Sequence, residues 1–385
     1  MLFGKTGLEK DYEDRLRPKN GCQIIITDSE GKTKQTLAKS EVKNGDDITL
    51  TIDAELQQKV YEQFKNDKSC SVMMNYKTGE ILALVSTPTF NSNDFTLKMT
   101  TDKWNSLVND KTQPLFNRYK QTWAPGSSMK PVIGAIAMTT GDLDPNENFG
   151  RSGTKWQKDE GWGDFFITTL KEYGDEVNLR NALINSDNIY FAKVALKVGT
   201  KKMEEQLKKI GFGESLDLGQ TVTKSTYGDE DKITSEGQLA NTGYGQAKVL
   251  VNPIHMASIY SAFLNEGNMI KPYLIKEEGK QTEYLKEKVF SKEAAQTIKE
   301  DLIQVVEDPN GTGHEAQMKG KMLGGKTGTA EIKDSKDDDT GTELGWFDCF
   351  LDDENNPLLM ITMVEDVKDR RGSHYLLPKV KNVLR

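Results

Sequence analysis

Strand-like apolar runs near both ends of the chain, with a long helical stretch between them, constrain the fold more than any other feature. Residues 71–76 and 81–85 are joined by a glycine-containing turn, which predicts a β-hairpin. Residues 345–351 and 358–364 predict two more strands, and a further strand is expected around Lys326. Because the sequence between these ends is mostly of helical pattern, one sheet has to be assembled from distant segments with helices packed beside it.

The first 50 residues have a different character from the rest of the chain. A polar segment at 7–16 predicts one short helix, and 22–27 predicts a strand. These elements contain too few apolar residues for a core of their own. We therefore expect a pedestal or linker over 1–50 and one main domain over 51–385, which begins with a helix after Asp53 and closes with a helix over 377–384.

Composition excludes several classes of function. The net charge of −8 over 385 residues argues against a surface that follows nucleic-acid phosphates. No apolar stretch reaches the roughly 20 residues of a membrane-spanning helix. The cysteines and histidines lack metal-ligand spacing, and the aspartate-rich run 334–339 does not fit an EF-hand loop, which favours a solvated loop. The sequence predicts no nucleic-acid partner, no metal and no cofactor.

Three short motifs carry the candidate chemistry, and each is weak alone. Ser-x-x-Lys occurs four times in the chain and Lys-Thr-Gly three times, so the surrounding sequence has to distinguish the copies. The copies with a chemically suitable context are Ser127-Ser128-Met129-Lys130, Ser186-Asp187-Asn188 and Lys326-Thr327-Gly328-Thr329.

The context of Ser127 points to a nucleophile at the start of a helix. An apolar segment follows directly, and Pro131 indicates the first turn, where a proline is tolerated because the backbone N–H groups have no partners. The helix dipole there favours developing negative charge on the Ser127 hydroxyl. Lys130 lies one turn further on the same face, where its amine is expected to take the hydroxyl proton. The copies that start at Ser29, Ser40 and Ser152 open no apolar helix.

A lysine acts as a base only when its pKa lies well below the ordinary value near 10.4. Burial and a second cation both lower the pKa of an amine, and Lys326 is the expected second cation beside Lys130. Ser186 is expected to bridge the two amines and to pass a proton to the leaving amine. Asn188 is expected to bind an amide of the substrate.

The segment that follows Lys326 is predicted to bind the substrate at the edge of a strand. Thr327, Gly328 and Thr329 would supply backbone N–H groups there, and the glycine would let an acyl substrate lie close to the strand. The N–H groups of Ser127 and Thr329 together are a candidate oxyanion hole.

In order and context the three motifs resemble those of the serine β-lactamases and penicillin-binding proteins. Over most of its length the chain is similar to the class B penicillin-binding proteins, and its Ser-Asp-Asn form and N-terminal segment resemble the low-affinity members from Gram-positive bacteria. Further similar stretches are 7–16, 51–57, 76–83, 117–119 and 243–246.

This resemblance implies a fold, a reaction and a location. The expected α+β fold is an antiparallel sheet flanked by helices, with a mostly helical subdomain. Ser127 would be acylated by the penultimate D-alanine of a peptidoglycan stem peptide, and an amine of a second stem peptide would then take the acyl group. β-Lactams would acylate the same serine. The family also implies an extracytoplasmic protein with an N-terminal membrane anchor, which these residues do not include, and glycosyltransferase, division or elongation proteins as partners.

Three alternatives stay open at this point. A class A β-lactamase or a β-lactam sensor shares the fold, but the β-lactamase needs a Glu-x-x-Leu-Asn stretch, which is not found after Asn188. Residues 320–327 satisfy the P-loop pattern of nucleotide-binding proteins, although no helical pattern follows Lys326. A pseudoenzyme that only scaffolds is disfavoured because the set of site residues is complete.

Overall fold

The computed structural model describes residue 4 and residues 6–332 and 341–385. The aspartate-rich run 334–339 and Lys5, which begins one of the Lys-Thr-Gly copies, lie outside the described residues. The α-helices are α1 (Gly7–Asp11), α2 (Glu13–Leu16), α3 (Ala54–Phe64), α4 (Ser92–Leu97), α5 (Thr101–Val108), α6 (Lys130–Thr139), α7 (Leu179–Ile184), α8 (Asn188–Val198), α9 (Thr200–Lys209), α10 (Glu236–Thr242), α11 (Pro253–Ser261), α12 (Lys292–Glu307) and α13 (Leu377–Leu384).

The strands include long ones near both ends and short ones between. They are β1 (Cys22–Thr27), β2 (Thr33–Ser40), β3 (Ser69–Asn75), β4 (Ile81–Thr87), β5 (Lys155–Trp156), β6 (Ile167–Thr168), β7 (Met269–Ile270), β8 (Tyr284–Lys286), β9 (Leu323–Ile332), β10 (Thr342–Leu351) and β11 (Leu358–Val364). The predicted hairpin, the three C-terminal strands and the final helix are confirmed. The polar helix expected over 7–16 is divided at Tyr12 into α1 and α2.

The chain forms two compact units, which are described separately. The first unit consists of Met1–Thr51 with Asp217–Thr221 and Leu274–Lys280. Its main feature is the antiparallel hairpin of β1 and β2, in which every residue of both strands is exposed. The division at residue 50 expected from the sequence stays a prediction.

The second unit is built on a five-stranded antiparallel sheet in the order β4-β3-β11-β10-β9. Two of its neighbouring strands, β3 and β11, come from opposite ends of the unit and pair along their whole length. The expected α+β fold is therefore confirmed: an antiparallel sheet assembled from distant segments and flanked by helices. Strand β9, which carries Lys326, lies at one edge of this sheet.

Helices cover both faces of the sheet because the strands are apolar on both sides. One face packs with α3 and α13 around side chains such as Phe64, Phe347 and Val380. Helix α11 packs on β3 and β11 from the other side, and every one of its residues is buried. Helix α12 packs against β9 and also against α6 and α7, and so joins the sheet to the helical part of the unit.

The sequence missed two small hairpins inside the helical middle. One pairs β5 with β6 and the other pairs β7 with β8. Strands of two or three residues are too short to show an alternation of apolar and polar side chains, so periodicity does not reveal them.

Candidate active site

Ser127 lies in a tight turn that runs into α6. The turn is a 3₁₀ helix over Gly126–Met129, and α6 begins at Lys130 with Pro131 in its first turn. The helix start inferred from Pro131 is thus confirmed. The Gly126 N–H donates to the carbonyl of Gly245 (3.0 Å), and a Cβ atom added to Gly126 would lie 2.2 Å from the Thr329 carbonyl oxygen. Glycine at 126, with φ of +52°, therefore lets the turn press against strand β9.

Two side chains from the core hold this turn in place. The indole N–H of Trp346 on β10 donates to the Ala124 carbonyl (2.9 Å). The Tyr260 hydroxyl on α11 donates to the Ser128 carbonyl (2.7 Å). Both side chains are fully buried, so the backbone around Ser127 is fixed by the sheet on one side and by α11 beneath it.

Lys130 is fully buried, and three oxygen atoms surround its amine. Lys130 Nζ lies 2.6 Å from the Ser186 carbonyl oxygen, 2.7 Å from Asn188 Oδ1 and 3.1 Å from Ser186 Oγ. These contacts occupy all three open positions of a tetrahedral nitrogen. The amine is therefore oriented entirely by the Ser186-Asp187-Asn188 segment.

Among the described residues, Ser127 Oγ has no hydrogen-bond partner, and it forms no hydrogen bond with Lys130 Nζ. The two residues are one turn apart, joined by a hydrogen bond from the Lys130 N–H to the Ser127 carbonyl. A proton can pass from Ser127 to Lys130 only when the amine exchanges one of its three contacts for the hydroxyl. Such tightening on substrate binding is common in active sites.

Ser186 bridges the two lysines. Its Oγ lies 3.1 Å from Lys130 Nζ and 2.9 Å from Lys326 Nζ. Lys326 Nζ also donates to the Thr327 carbonyl (3.1 Å). Ser186 adopts a left-handed backbone conformation with φ of +54°, which is unfavourable for serine and is typical of residues that the surrounding structure forces into position.

The other two residues of the Ser186-Asp187-Asn188 segment have different partners. Asp187 caps α8 by accepting hydrogen bonds from the N–H groups of Ile189 and Tyr190, a role that aspartate commonly has at the start of a helix. Asn188 donates from Nδ2 to the Thr168 carbonyl of β6 (2.8 Å), while its Oδ1 accepts from Lys130. Both ends of its amide are thus engaged within the protein, and it orients Lys130.

The edge of β9 brings the third motif to the same place. Lys326, Thr327, Gly328 and Thr329 lie in its central part, beside the Ser127 turn. The hydroxyl of Thr327 donates to Thr312 Oγ1 (2.8 Å). A strand at this position excludes the P-loop alternative, since a P-loop lysine lies in a loop that opens a helix.

Burial dominates the electrostatics of the two lysines. Burial, followed by the neighbouring charge of Lys326, lowers the pKa of Lys130 well below its ordinary value, and Asp187 partly opposes this. Burial lowers the pKa of Lys326 to about 7, and Asp348 partly opposes that shift. Both amines therefore lose their proton at a lower pH than the amine of a lysine in water does.

Asp348 is the residue near this site that the sequence reasoning missed. It lies on β10 opposite Lys326 and is fully buried. The available signal was a single acidic residue within the otherwise apolar run 345–351. No group of three or more histidine, cysteine or acidic side chains in the described part of the chain is arranged to hold a metal ion.

The other Ser-x-x-Lys copies lie elsewhere. Ser29 is in the turn between β1 and β2, and Ser40 ends β2. Ser152 lies in a loop where its hydroxyl accepts a hydrogen bond from Lys193 (2.6 Å), while Lys155, the lysine of that copy, is exposed. The second Lys-Thr-Gly copy, at Lys77, lies in the turn of the β3–β4 hairpin.

Residues 69–385 match the family model of the penicillin-binding protein transpeptidase domain. The chain belongs to the class B penicillin-binding proteins. Residues 1–50 match the penicillin-binding protein dimerisation domain. The chain is 41% identical over 379 residues to Penicillin-binding protein 3 of Bacillus subtilis. This alignment covers 98% of this chain and 56% of that protein.

More distant members of the family align over the same region. The peptidoglycan D,D-transpeptidase MrdA of Haemophilus influenzae is 27% identical over 412 residues, covering 99% of this chain and 62% of that protein. Thus the chain spans a little over half the length of these curated relatives. A solved complex between penicillin-binding protein PBP2 and MreC from Helicobacter pylori matches with a TM-score of 0.86 at 23% identity, covering 99% of this chain and 71% of that one. That likeness supports the fold.

Proposed function

We propose that this chain is the catalytic portion of a peptidoglycan D,D-transpeptidase that works through an acyl-enzyme on Ser127. The observation that carries the proposal is the Ser186 hydroxyl, which lies between Lys130 Nζ and Lys326 Nζ at 3.1 and 2.9 Å. This arrangement links a candidate base directly to a second amine through a group that can both accept and donate a proton.

In the first step Lys130, in its neutral form, takes the proton of Ser127 as Oγ attacks the carbonyl carbon of the penultimate D-alanine. Negative charge develops on the carbonyl oxygen, and the N–H groups of Ser127 and Thr329 stabilise it. Removal of one such donor typically costs about 10²–10³ in rate. A charged Lys326 stabilises the same developing charge and keeps the pKa of Lys130 low.

Collapse of the tetrahedral intermediate breaks the bond to the terminal D-alanine. The departing nitrogen receives its proton from the Ser186 hydroxyl, which is replenished by the proton that Lys130 took from Ser127. An amine of a second stem peptide then attacks the ester at Ser127 and transfers its proton back along the same path. The strand edge formed by Thr327, Gly328 and Thr329 binds the acyl chain in both halves of the reaction.

The same site is expected to hydrolyse its acyl-enzyme slowly. Among the described residues, no carboxylate forms a hydrogen bond with Ser127, Lys130, Ser186 or Lys326. Asp187 is occupied by the N-terminal N–H groups of α8 and by the Tyr173 hydroxyl (2.9 Å). Without a carboxylate hydrogen-bonded to these four residues to activate water, a β-lactam adduct should persist, which favours a transpeptidase over a β-lactamase.

Incubation with benzylpenicillin followed by intact mass spectrometry tests this function. We expect the chain to gain the mass of one benzylpenicillin, because opening of the β-lactam ring releases no leaving group. The adduct should remain for many minutes after excess drug is removed. A chain that never gains mass would refute acylation chemistry, while rapid loss of the adduct with turnover of nitrocefin would identify a β-lactamase instead.

We also propose an extracytoplasmic location, membrane anchoring of the full-length protein, and partners from the elongation or division machinery. Support comes from the relatives named as peptidoglycan D,D-transpeptidases and from the solved PBP2–MreC complex. In the described part of this chain, every helix is too short or too polar to cross a lipid bilayer. Location and partners are testable by fractionation and by co-purification of the full-length protein.

A further inference from the structure

Asp348 is a buried acid at the centre of the sheet, directly beside the second lysine of the site. It is paired in register with Lys326 across β10 and β9 and is completely inaccessible to solvent. Directly paired residues of antiparallel strands project from the same face of a sheet. The carboxyl group of Asp348 therefore lies on the face from which Lys326 reaches Ser186.

No group in the described part of the chain forms a hydrogen bond with the carboxyl group of Asp348. Neither of its oxygen atoms has a hydrogen-bond partner there, and the same holds for the hydroxyl of Ser128, the residue after the nucleophile. The Ser128 hydroxyl is near enough to lower the pKa of the carboxyl, but the two groups do not reach hydrogen-bonding geometry. Since a buried acid without partners costs stability, its presence requires another reason.

The charge balance of the site supplies that reason. Two amines, those of Lys130 and Lys326, are fully buried within a few ångströms of one another, joined through Ser186. Two ammonium groups that are this close and are shielded from water repel each other strongly. One buried carboxylate beside Lys326 offsets the charge of one ammonium only. The protonation state of lowest electrostatic energy therefore has an ammonium at Lys326, a carboxylate at Asp348 and a neutral amine at Lys130.

We propose that Asp348 is a positioning residue whose buried negative charge keeps Lys326 protonated and so leaves Lys130 as the neutral base. This inference rests on the proposed function, because it assigns the protonation states that acylation of Ser127 requires. Asp348 acts through Lys326 and does not contact the substrate.

The other titratable groups close to Asp348 do not change charge near neutral pH. Burial raises the pKa of Tyr260 on α11 and of the thiols of Cys70 and Cys349 well above their ordinary values, so all three stay neutral. Burial raises the pKa of Asp348, whereas the Ser128 hydroxyl, the Thr362 backbone N–H and the charge of Lys326 lower it, so the carboxylate and the Lys326 ammonium stabilise each other. Lys326 is thus the group whose protonation the carboxylate controls.

The interaction between Asp348 and Lys326 determines in which direction the pH profile of acylation should shift. Acylation falls at low pH as Lys130 gains a proton and at high pH as Lys326 loses one. Removing the negative charge of Asp348 lowers the pKa of Lys326, so the high-pH limb should move to lower pH. Loss of a nearby opposite charge typically shifts a pKa by about one unit or more, which is about a tenfold loss in rate on that limb.

The experiment is the pH profile of the acylation rate constant with a fluorescent penicillin, from about pH 5 to about pH 10. Asp348→Asn removes the charge at nearly constant shape and should show the shifted limb, while Asp348→Glu should restore the wild-type limb at least in part. Asp301→Asn is the matched control, because Asp301 is a buried acid on α12 that pairs with Arg180 rather than with a site lysine (2.6 Å). Its profile should equal that of the wild type.

An Asp348→Asn profile with both limbs unchanged would overturn the proposal, even if the maximal rate falls, because a structural carboxylate would act that way. Asp348→Thr, a neutral residue suited to strands, carries the same prediction if the Asn variant does not fold. Failure of both neutral variants to fold would also overturn it. Absence of acylation in the wild-type chain would refute the proposed function itself, so the two failures are distinguishable.

Discussion

The Ser127→Ala variant is expected to form no acyl-enzyme with a fluorescent penicillin, with labelling reduced to background at all times of incubation. Alanine removes the only atom of residue 127 that can form the ester, while the turn and α6 depend on backbone contacts that alanine preserves. Gel fluorescence after denaturation measures the covalent label directly. Thermal unfolding of the variant should match that of the wild type, because Ser127 Oγ makes no hydrogen bond in the described residues.

Ser152→Ala is the matched control for this experiment. Ser152 also begins a Ser-x-x-Lys motif, and its hydroxyl accepts a hydrogen bond from the Lys193 amine (2.6 Å). It differs in lying in a loop rather than in a turn that opens an apolar helix. We expect wild-type labelling for this variant. Equal labelling of the Ser127 and Ser152 variants would contradict the assignment of the nucleophile.

Replacing Lys130 with glutamine is expected to lower the acylation rate by about 10²–10⁴-fold, which is the usual contribution of a positioned general base. The glutamine amide can still donate a hydrogen bond to Asn188 Oδ1 or to the Ser186 carbonyl, but it cannot accept a proton at neutral pH. Stopped-flow or quench measurements of acylation by a penicillin give the rate constant. Since Ser127 is retained, slow labelling should still be detected at long times.

Lys155→Gln provides the comparison for Lys130. Lys155 holds the same position in the Ser152 copy of the motif, but its side chain is exposed and lies over the ring of Phe166. The substitution should leave the acylation rate unchanged. A Lys130→Gln rate within about twofold of the wild-type value would show that another group takes the proton of Ser127.

The strands of the sheet were largely predictable because their determinants are local. The runs around β3, β4, β10 and β11 are apolar and bounded by turn residues, so each strand is visible in the sequence. The helix after Ser127 was visible for a similar reason, since Pro131 is compatible only with a first turn. The need to bury strands from both ends of the unit predicted one shared sheet, whereas the pairing of β3 with β11 is seen only in the structure.

The finer contacts of the candidate site depend on residues far apart in the chain, which no local pattern encodes. The substrate amide contact expected of Asn188 stays a prediction, but no sequence pattern showed that its side chain joins Lys130 to the Thr168 carbonyl on a strand of two residues. The bridge from Ser186 to Lys326 spans 140 residues and was inferred only from the chemistry that a lysine base requires. Asp348 escaped notice because its role depends on the register of β10 against β9.

The central claim is that Ser127, Lys130, Ser186 and Lys326 form one acylation centre with Ser127 as its nucleophile. Tandem mass spectrometry of a proteolytic digest, made after reaction of the wild-type chain with benzylpenicillin, locates the adduct by residue. We expect the penicilloyl group on Ser127 and on no other residue. An adduct on Ser152, on Ser186 or on a lysine would contradict the claim.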